Sequence, residues 1–494
     1  MMPRMAFRSI LPLLLLAGCV DQESTSNTEQ ALGGATDCLV PGALPDDGLD
    51  DRVAIQQALT NKGCALLSPG TYDVGVTVPR VFGGTTGLDR YDLLKLAGGR
   101  SLRGSGPATT IRFYGDAGKS DLRGVGMTGD ENLVSDMRLD TTGLSNTGEQ
   151  THAIHMTGPA LKQKVSGVWF QHPSLGPSAG GDCIKIVGYD PAVLADGTSG
   201  PDKRVSAVII GNIFGACDRS GIAAHSGIRE AVITSNLFLA TGDQDIDLEG
   251  GGGIIDNLVI DGNAMRRTLN SGISVAIGAD MTRKAVFSNN SVHGGRISTY
   301  NVQYLSVIGN TFESPGNALQ MIKMSRLVTI TGNTFVGTDP TITGTVITAS
   351  HHNSGKPGNL VISGNTFELV STNGGVVSLI SAASASFTGN SVVWTPTTPV
   401  DISVALQIYG ITQPTEAILV SSNVIRGPYS RTLGVTNSYE ASNGGGIRSV
   451  TFVGNILRGP LLGVHCSQAG LGPYVSYGNS GATHQCAGPF TAGN

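Results

Sequence analysis

The phrase VIGNTF at residues 307–312 returns almost unchanged as ITGNTF at 330–335 and as ISGNTF at 362–367. Looser copies precede and follow these three, so that the phrase occurs ten times in the chain. Each copy is centred on an asparagine: Asn212, Asn236, Asn263, Asn290, Asn310, Asn333, Asn365, Asn390, Asn423 and Asn455. Intervals run from 20 residues (Asn290 to Asn310) to 33 (Asn390 to Asn423), which is typical of solenoid turns with loop insertions.

Apolar residues flank each central asparagine at fixed positions. The residues five and three places before it and two places after it are apolar in every copy, as Leu305, Val307 and Phe312 are around Asn310. A spacing of two predicts a strand with one buried face. Glycine stands directly before the asparagine in seven copies, and both residue types tolerate the left-handed backbone of a tight corner. Each copy therefore predicts a strand, a bend and a second strand.

Stacking of these units predicts an all-β solenoid. Each strand would lie parallel to its equivalent in the next turn, and the asparagines would form a hydrogen-bonded ladder along the axis. The 70 glycines, 14 % charged residues and 5 % aromatic residues suit short strands and tight turns. A propeller needs four-stranded blades and a leucine-rich horseshoe needs helical segments, and the phrase fits neither. We therefore predict a parallel β-helix.

The sequence before the repeats predicts an N-terminal capping helix. The segment DDRVAIQQALTNKG at 50–63 is amphipathic, with Asp50 or Asp51 as N-cap and Gly63 as its end. A solenoid has open apolar ends that must be covered. We expect one domain over 37–490, with an N-terminal cap at 37–75 and a C-terminal cap at 463–494.

Residues 1–19 are predicted to be a lipoprotein signal peptide. Two arginines precede an apolar run at 10–16 that is too short to span a bilayer. The following LAGC at 16–19 resembles the lipobox of bacterial lipoproteins, in which the cysteine, here Cys19, is lipidated. Residues 20–36 are then a flexible polar tether. Val20 favours the outer membrane in this resemblance, so we expect a cell-envelope protein that meets the membrane through its anchor only.

Six cysteines remain after Cys19, an even number in a compartment that permits disulfides. Pairing of neighbours along the chain is the simplest of the fifteen connectivities that six cysteines allow. It predicts three bonds: Cys38–Cys64, Cys183–Cys217 and Cys466–Cys486.

The order of these elements resembles a known superfamily. The helix, then SPGTYDV at 68–74, then SLRGSGPATTIRF at 101–113, then turns centred on asparagine are similar to the pectate lyase superfamily. The resemblance covers about residues 37–490 and implies a right-handed β-helix. Members include polysaccharide lyases, glycoside hydrolases, uronate epimerases and phage tailspikes, so the resemblance implies a polysaccharide partner and leaves the reaction open.

A further strand lies between successive asparagines, in the segments AIHMT, CIKIV, GIAAH, DIDLE, GISVA, RISTY and ALQMI. With its isoleucine or leucine inward, the next residue points outward, which gives the column His155, Lys185, Ala223, Asp247, Ser274, Ser298 and Gln320. Two residues further on, a parallel column contains Thr157, Val187, His225, Glu249, Ala276, Tyr300 and Ile322. Equivalent atoms of adjacent coils are about 4.8 Å apart, so ionisable groups of neighbouring coils can meet around one sugar. The predicted catalytic groups are Lys185, His225, Asp247 and Glu249, and the predicted substrate-binding groups are His155, Arg219, Arg266 and Tyr300.

Three carboxylates alternate with apolar residues in one of these strands. Asp245, Asp247 and Glu249 are predicted to share one face, with neighbours about 6.6 Å apart. They would hold a Ca²⁺ ion that bridges to a uronate, or act as paired carboxylates in glycosidic cleavage, or be solvated acids balanced by nearby arginines. The strand resembles the acidic metal-binding strands of some β-helix lyases, but the lysine expected after it is missing.

Acidic and basic groups occur together in this region, which favours lyase or epimerase chemistry on a uronate over hydrolysis. Lys185 or His225 would then serve as the base, and Arg219 or Arg266 would neutralise the substrate carboxylate. The alternative is a non-catalytic surface module that binds glycan or protein. The net charge of −5 gives no concentrated basic face, so nucleic acid is not an expected partner.

Overall fold

The structure of the protein is a computed structural model. It describes residues 35–492 apart from these gaps: 77–89, 117–120, 146–150, 173–180, 189–202, 226, 250–253, 267–271, 279–280, 315–316, 323–325, 338–342, 351–357, 371–372, 381–382, 396–403, 410–413, 416, 428–430, 437–445, 459–461, 467–473, 482 and 486–489. The described residues form a short 3₁₀ helix, Ala35–Cys38, one α-helix, Arg52–Lys62, and 45 strands in three sheets.

The larger of the two main sheets, called the bent sheet here, has 28 strands that supply both sides of the asparagine corner. Its strands are Cys64–Leu66, Gly70–Val76, Ser101–Arg103, Thr109–Asp116, Leu133–Ser145, Ala160–His172, Val205–Ile210, Ile213–Cys217, Ile228–Thr234, Leu237–Phe238, Ile254–Asp261, Ala264–Arg266, Met281–Ser288, Ser291–His293, Val302–Ile308, Thr311–Ser314, Leu327–Thr331, Thr334–Gly337, Asn359–Ser363, Thr366–Leu369, Ser384–Thr388, Ser391–Trp394, Ala417–Ser421, Val424–Arg426, Val450–Val453, Ile456–Arg458, Tyr474–Tyr477 and Phe490–Ala492.

The other main sheet, called the straight sheet, has 15 strands, one per coil. They are Arg90–Ala97, Asp121–Thr128, Ile154–Thr157, Ile184–Val187, Ile222–Ala224, Ile246–Glu249, Ile273–Gly278, Arg296–Tyr300, Leu319–Ile322, Thr343–Ser350, Asn373–Ile380, Val404–Tyr409, Arg431–Thr436, Leu462–Cys466 and Thr483–Gln485. Pro414–Thr415 and Gly446–Ile447 form a third sheet of two strands. Neighbouring strands pair in parallel throughout the described residues, as in Ile184↔Ile222 and Val307↔Ile330. The predicted fold class, a right-handed parallel β-helix with an N-terminal helix, is confirmed.

The central asparagines lie one above another. In each coil the side-chain Oδ1 accepts both the backbone N–H and the Nδ2 of the preceding asparagine, as Asn365 accepts from Asn333 at 2.8 and 3.0 Å. The Nδ2 of Asn333 also donates to the carbonyl of Val307 at 2.9 Å. The ladder continues past the predicted copies to Asn479, which bonds Asn455. It begins at Asn212, whose Oδ1 accepts the N–H of Val168 at 3.0 Å.

Aromatic side chains stack inside the cylinder at the position two residues after the asparagine. Phe214 lies on Phe238 with ring centroids 4.4 Å apart, and Phe312, Phe335 and Phe367 continue the same arrangement at 4.9 and 4.8 Å. All five side chains are buried. Burial of such rings is worth several kcal/mol each, so the repeat provides both the packing and the register of the core.

The N-terminal helix packs its buried residues Ile55 and Leu59 against the first coils. Gly63 ends it in the left-handed conformation, at φ 74°, as predicted. Asp51 is the N-cap residue but makes no side-chain cap bond. Its carboxylate instead accepts the N–H groups of Leu44 and Asp73, at 3.1 and 3.2 Å, and so ties the helix to the strand beneath it.

Two of the three predicted disulfides are present, Cys38–Cys64 and Cys183–Cys217. The third, Cys466–Cys486, includes a residue outside the described part, and so does the predicted lipidation site, Cys19. In the segment predicted as a C-terminal cap, the strands Tyr474–Tyr477 and Phe490–Ala492 continue the parallel stack. None of the helices in the described ranges is long and apolar enough to cross a membrane.

Candidate active site

The outward column of the straight sheet has the predicted register over four coils. His155 pairs with Lys185, Lys185 with Ala223, and Ala223 with Asp247. The next coil differs from prediction, because Asp247 pairs with Ala276 rather than with Ser274. A register shift between Ile273 and Val275 displaces this strand, so Gly278 rather than Ala276 lies beside Glu249.

The ionisable members of this column point out of the cylinder and are nevertheless buried. His155, Lys185 and Asp247 are 4 %, 5 % and 4 % exposed. They are covered in part by charged side chains that approach from adjacent coils. A buried charge is stable only when it is paired, so the partners of these groups define the site.

Three cation–carboxylate pairs form a row along this part of the sheet. Arg123 lies 3.7 Å from Asp92, Lys185 lies 3.5 Å from Asp182, and Arg219 lies 3.6 Å from Asp247. We call these six residues, together with His152 and His155, the polar row. Burial raises the pKa of Asp92 and of Asp182, against the opposing effect of their cationic partners.

Glycine makes room for one of these pairs. Gly126 occupies the column position in the coil before His155. A Cβ atom at this position would lie 2.3 Å from Cγ of Asp92, so any larger residue would displace that carboxylate. Arg123 then reaches His155, with 2.8 Å between Nη1 and Nδ1. Arginine can only donate, so Nδ1 of His155 is the acceptor and a neutral ring carries its proton on Nε2.

Two residues of the row, His152 and Asp182, occupy the corner that precedes the strands. The N–H of Asp182 donates to Nδ1 of His152 at 3.2 Å, and the N–H of Ser220 donates to Oδ1 of Asp182 at 3.3 Å. The ring of His152 is stacked on that of His155 with centroids 5.9 Å apart. Burial, and after it electrostatic interactions with His155, Lys185 and Arg123, holds the pKa of His152 well below its ordinary range.

A third buried histidine, His172, lies beside the row. Its Nδ1 is hydrogen-bonded to the hydroxyl of Thr141, and a further bond joins it to the backbone of Thr151. Burial lowers the pKa of His172 to about 4. His172 is therefore neutral at physiological pH and has a packing role beside the site.

Sequence reasoning missed four members of the row: Asp92, Arg123, His152 and Asp182. Two of them carried a signal, since HAIH at 152–155 and DCIK at 182–185 both place an ionisable residue three places before the column position. Alternation along a strand does not predict the direction of a side chain in the corner before it, so this signal alone does not place His152 and Asp182 in the row.

The other predicted site residues are not members of the row. Arg266 is exposed on the bent sheet, where it pairs in register with His293. Tyr300 lies on the straight sheet, 37 % exposed, four coils or about 19 Å beyond Lys185. His225 is exposed and directly follows the strand Ile222–Ala224. Glu249 ends its strand, and its side chain is outside the described part.

Two of the three residues of the predicted Ca²⁺ site have described side chains, and both have protein partners. Asp245 accepts the hydroxyl of Thr241 at 2.7 Å, and Asp247 faces Arg219, so each carboxylate has a protein partner. Among the side chains that the structure describes, no three His, Cys, Asp or Glu residues are grouped to hold a metal. No step of a reaction is therefore assigned to Ca²⁺.

Comparison with known proteins gives similarity of fold alone. No family model matches the sequence. No curated protein matches it either. Among solved structures, the A-module of the mannuronan C-5 epimerase AlgE6 of Azotobacter vinelandii is 14 % identical, with a TM-score of 0.40, and the match covers 90 % of this chain and 98 % of that one.

Two further structures are similar in the same way. The catalytic unit of an α-1,3-glucanase of Streptomyces thermodiastaticus is 12 % identical, with a TM-score of 0.44 and coverage of 92 % of this chain and 71 % of that one. Tailspike protein 3 of bacteriophage CBA120 is 11 % identical, with a TM-score of 0.44 and coverage of 96 % and 66 %. At identities of 11 to 14 %, these similarities concern the fold alone, and the β-helix that the sequence resemblance implied is the fold observed. The class of protein is therefore defined by its fold, a right-handed parallel β-helix.

Proposed function

We propose that the protein is a polysaccharide-active enzyme and that the polar row is its active site. The reaction that fits best is elimination or epimerisation on a uronic-acid-containing glycan. One observation carries the proposal: three cations, three carboxylates and two neutral histidines are concentrated along one stretch of the straight sheet and the corner that precedes it. Perturbed ionisable groups gathered in this way are typical of catalytic sites.

The chemistry follows from the charges. The substrate carboxylate would bind Arg219, whose side chain is 22 % exposed, whereas those of Arg123 and Lys185 are 6 % exposed. Neutralisation of the carboxylate acidifies the C–H bond beside it, and Lys185 would take that proton. In elimination a C–C double bond forms as the C–O bond to the leaving sugar breaks, and the leaving oxygen takes a proton from water. In epimerisation the carbon takes a proton from water on its opposite face.

The histidines of the row suit other tasks than that of the base. Nδ1 of His155 accepts from Arg123, and Nδ1 of His152 accepts from the backbone of Asp182. Each neutral ring therefore has an N–H on Nε2, which is a donor. His155, on the column itself, would bind a sugar hydroxyl.

We also propose that the protein is exported and held to the outer membrane by lipid on Cys19. The support is the sequence of the first 19 residues alone. A Cys19→Ser variant should lose labelling by a radioactive fatty acid and leave the membrane fraction. Retention of the label in this variant would contradict the anchor.

One observation favours the alternative, a β-helix that binds glycan or protein without cutting it. His155 and Lys185 are almost fully buried, and each has a partner within the row. Such pairs could simply hold the coils together. The alternative predicts that loss of one charge changes stability and leaves any glycan bound.

The test is turnover by the purified protein of a panel of uronic-acid and neutral polysaccharides. New unsaturated ends, new reducing ends and inverted C5 protons in NMR spectra distinguish elimination, hydrolysis and epimerisation. Asp247→Asn should lower the rate of turnover at least about a hundredfold and leave the circular dichroism spectrum unchanged. Ser298→Ala, in the same column two coils further on, is the matched control and should retain full activity. Binding without turnover across the panel would support the non-catalytic module instead.

A further inference from the structure

We propose that Asp182 is a positioning residue for Lys185 and that His152 holds Asp182 in place. The inference rests on the proposed function, because it concerns the base of that reaction. It is drawn from the corner that precedes the straight sheet, where three coils contribute one polar residue each.

One carboxylate oxygen of Asp182 is hydrogen-bonded, and the other forms an ion pair. Its Oδ1 accepts the backbone N–H of Ser220, in the next coil, at 3.3 Å. Its Oδ2 lies 3.5 Å from Nζ of Lys185, three residues ahead in the chain. The side chain is fully buried and cannot itself reach a substrate, whereas Lys185 is on the outward column. The carboxylate therefore acts through Lys185, by holding the amine in one place.

His152 fixes the backbone of Asp182. Its Nδ1 accepts the N–H of Asp182 at 3.2 Å, and this bond requires an unprotonated Nδ1. The groups that face His152 are the cations Lys185 and Arg123 together with His155 and His172, and like burial they lower its pKa. A neutral, buried ring stacked parallel to that of His155 is a rigid acceptor for the backbone N–H of Asp182.

Asp182 places its carboxylate beside the amine of Lys185. The charged groups that face Asp182 are Lys185 and Arg219, and the neutral His152 lies 3.6 Å from it. A carboxylate this close to an ammonium stabilises the positive charge. Removal of the charge with retention of shape should therefore make Lys185 a weaker base that loses its proton at lower pH.

Asp182→Asn is the variant that tests this, because Asn keeps the acceptor for Ser220 and loses the charge. On a glycan that the wild type turns over, the limb of the pH–rate profile that reports the base should move to lower pH by at least about one unit. The maximal kcat should fall about 10- to 100-fold because the amine is no longer held, while KM changes by less than about threefold. Asp261→Asn, on the bent sheet, is the control and should leave both unchanged. An unmoved limb in Asp182→Asn would overturn the proposal, whatever its effect on stability.

The role of His152 is tested by a rescue. His152→Leu removes the acceptor and should reproduce the loss of kcat seen in Asp182→Asn. His152→Asn places an amide oxygen near the position of Nδ1. Its log kcat should therefore lie at least about halfway from that of His152→Leu to that of the wild type. Equal activity of the two His152 variants contradicts the assigned role.

A second measurement needs no substrate and separates this inference from the proposed function. Reductive methylation of amines at a series of pH values, followed by peptide mass spectrometry, gives the pH at which Lys185 becomes reactive. That pH should be at least about one unit lower in Asp182→Asn than in the wild type. If the shift is found and no glycan is turned over, the positioning is right and the proposed reaction is wrong. If glycan is turned over and the shift is absent, the proposed function stands and the positioning role of Asp182 is wrong.

Discussion

The coils before and after residue 250 are built on one plan and held together by different means. From Asn212 to Asn479 the corners are joined by the asparagine ladder, and the outward column of the later coils is uncharged, with Ser298, Gln320 and Thr348 in register. In the coils before Asn212, Val168 and Met137 occupy the corner position instead. Both disulfides among the described residues, and the polar row, lie before residue 250, so they overlap the ladder only in the coils of Asn212 and Asn236. Repetition thus supplies stability in one region and leaves the other free to carry chemistry.

The largest expected effect comes from breaking the ladder in the later coils. Asn333→Leu leaves the N–H of Asn310 and the carbonyl of Val307 without their partners in a buried corner. The variant should lose about 3 to 5 kcal/mol of unfolding free energy, measured by guanidinium denaturation. Asn257→Ala, at an exposed strand position, should change it by less than about 0.5 kcal/mol. Similar values for the two variants would show that the ladder is dispensable.

The disulfide beside the row tests what replaces the ladder in the earlier coils. Cys183→Ala with Cys217→Ala opens a bridge between residues 34 apart in sequence, which should cost about 3 to 4 kcal/mol by loop entropy. Asp182, Lys185 and Arg219 all lie within two residues of this bridge, so activity should fall together with stability. The matched variant without Cys38 and Cys64 should be destabilised and keep its activity. Full activity without the Cys183–Cys217 bridge would contradict its role in the site.

The smallest expected effect is on the response to pH, and it should arise in the earlier coils. The pKa of His172 is about 4 when folded, against an ordinary 6.5, so below pH 6.5 only the unfolded chain takes up the proton. Stability therefore falls as the pH falls, by about 2 kcal/mol at pH 5 from this group. The raised pKa values of Asp92 and Asp182 act in the opposite sense, since those carboxyls take up protons first in the folded state.

Thermal melts at pH 7.5 and pH 5 isolate the contribution of His172. His172→Gln cannot be protonated and should lose less stability between these two pH values than the wild type loses. His293→Gln is the control, because His293 is 59 % exposed and lies in the later region. An identical loss in the wild type and in His172→Gln would contradict the assigned burial effect.

Sequence alone predicted the ladder, the bends and most of the straight column, because a strictly repeated pattern of buried and polar residues leaves one arrangement. The sequence pattern predicts Ser274 in the outward column, but Ala276 occupies that position. The strand has an irregularity between Ile273 and Val275, which shifts the register by two residues and leaves the alternation of buried and outward residues unchanged. The sequence could not show which of the two sheets holds Arg266, because buried and outward residues alternate in the same way in both. The sequence did not predict Asp182 as a site residue, because the direction of its side chain depends on contacts with Ser220 and His152 in other coils.

The constancy of the asparagine corner has a consequence for variation in length. Successive corners are 20 residues apart at Asn290 and Asn310 and 33 apart at Asn390 and Asn423, yet the bonds between them are the same to within about 0.1 Å. The remainder of each coil can therefore lengthen or shorten without disturbing its neighbours. Foreign peptides inserted opposite the corner should be tolerated in many coils, which makes the cylinder a scaffold for display of several loops at intervals of about 4.8 Å.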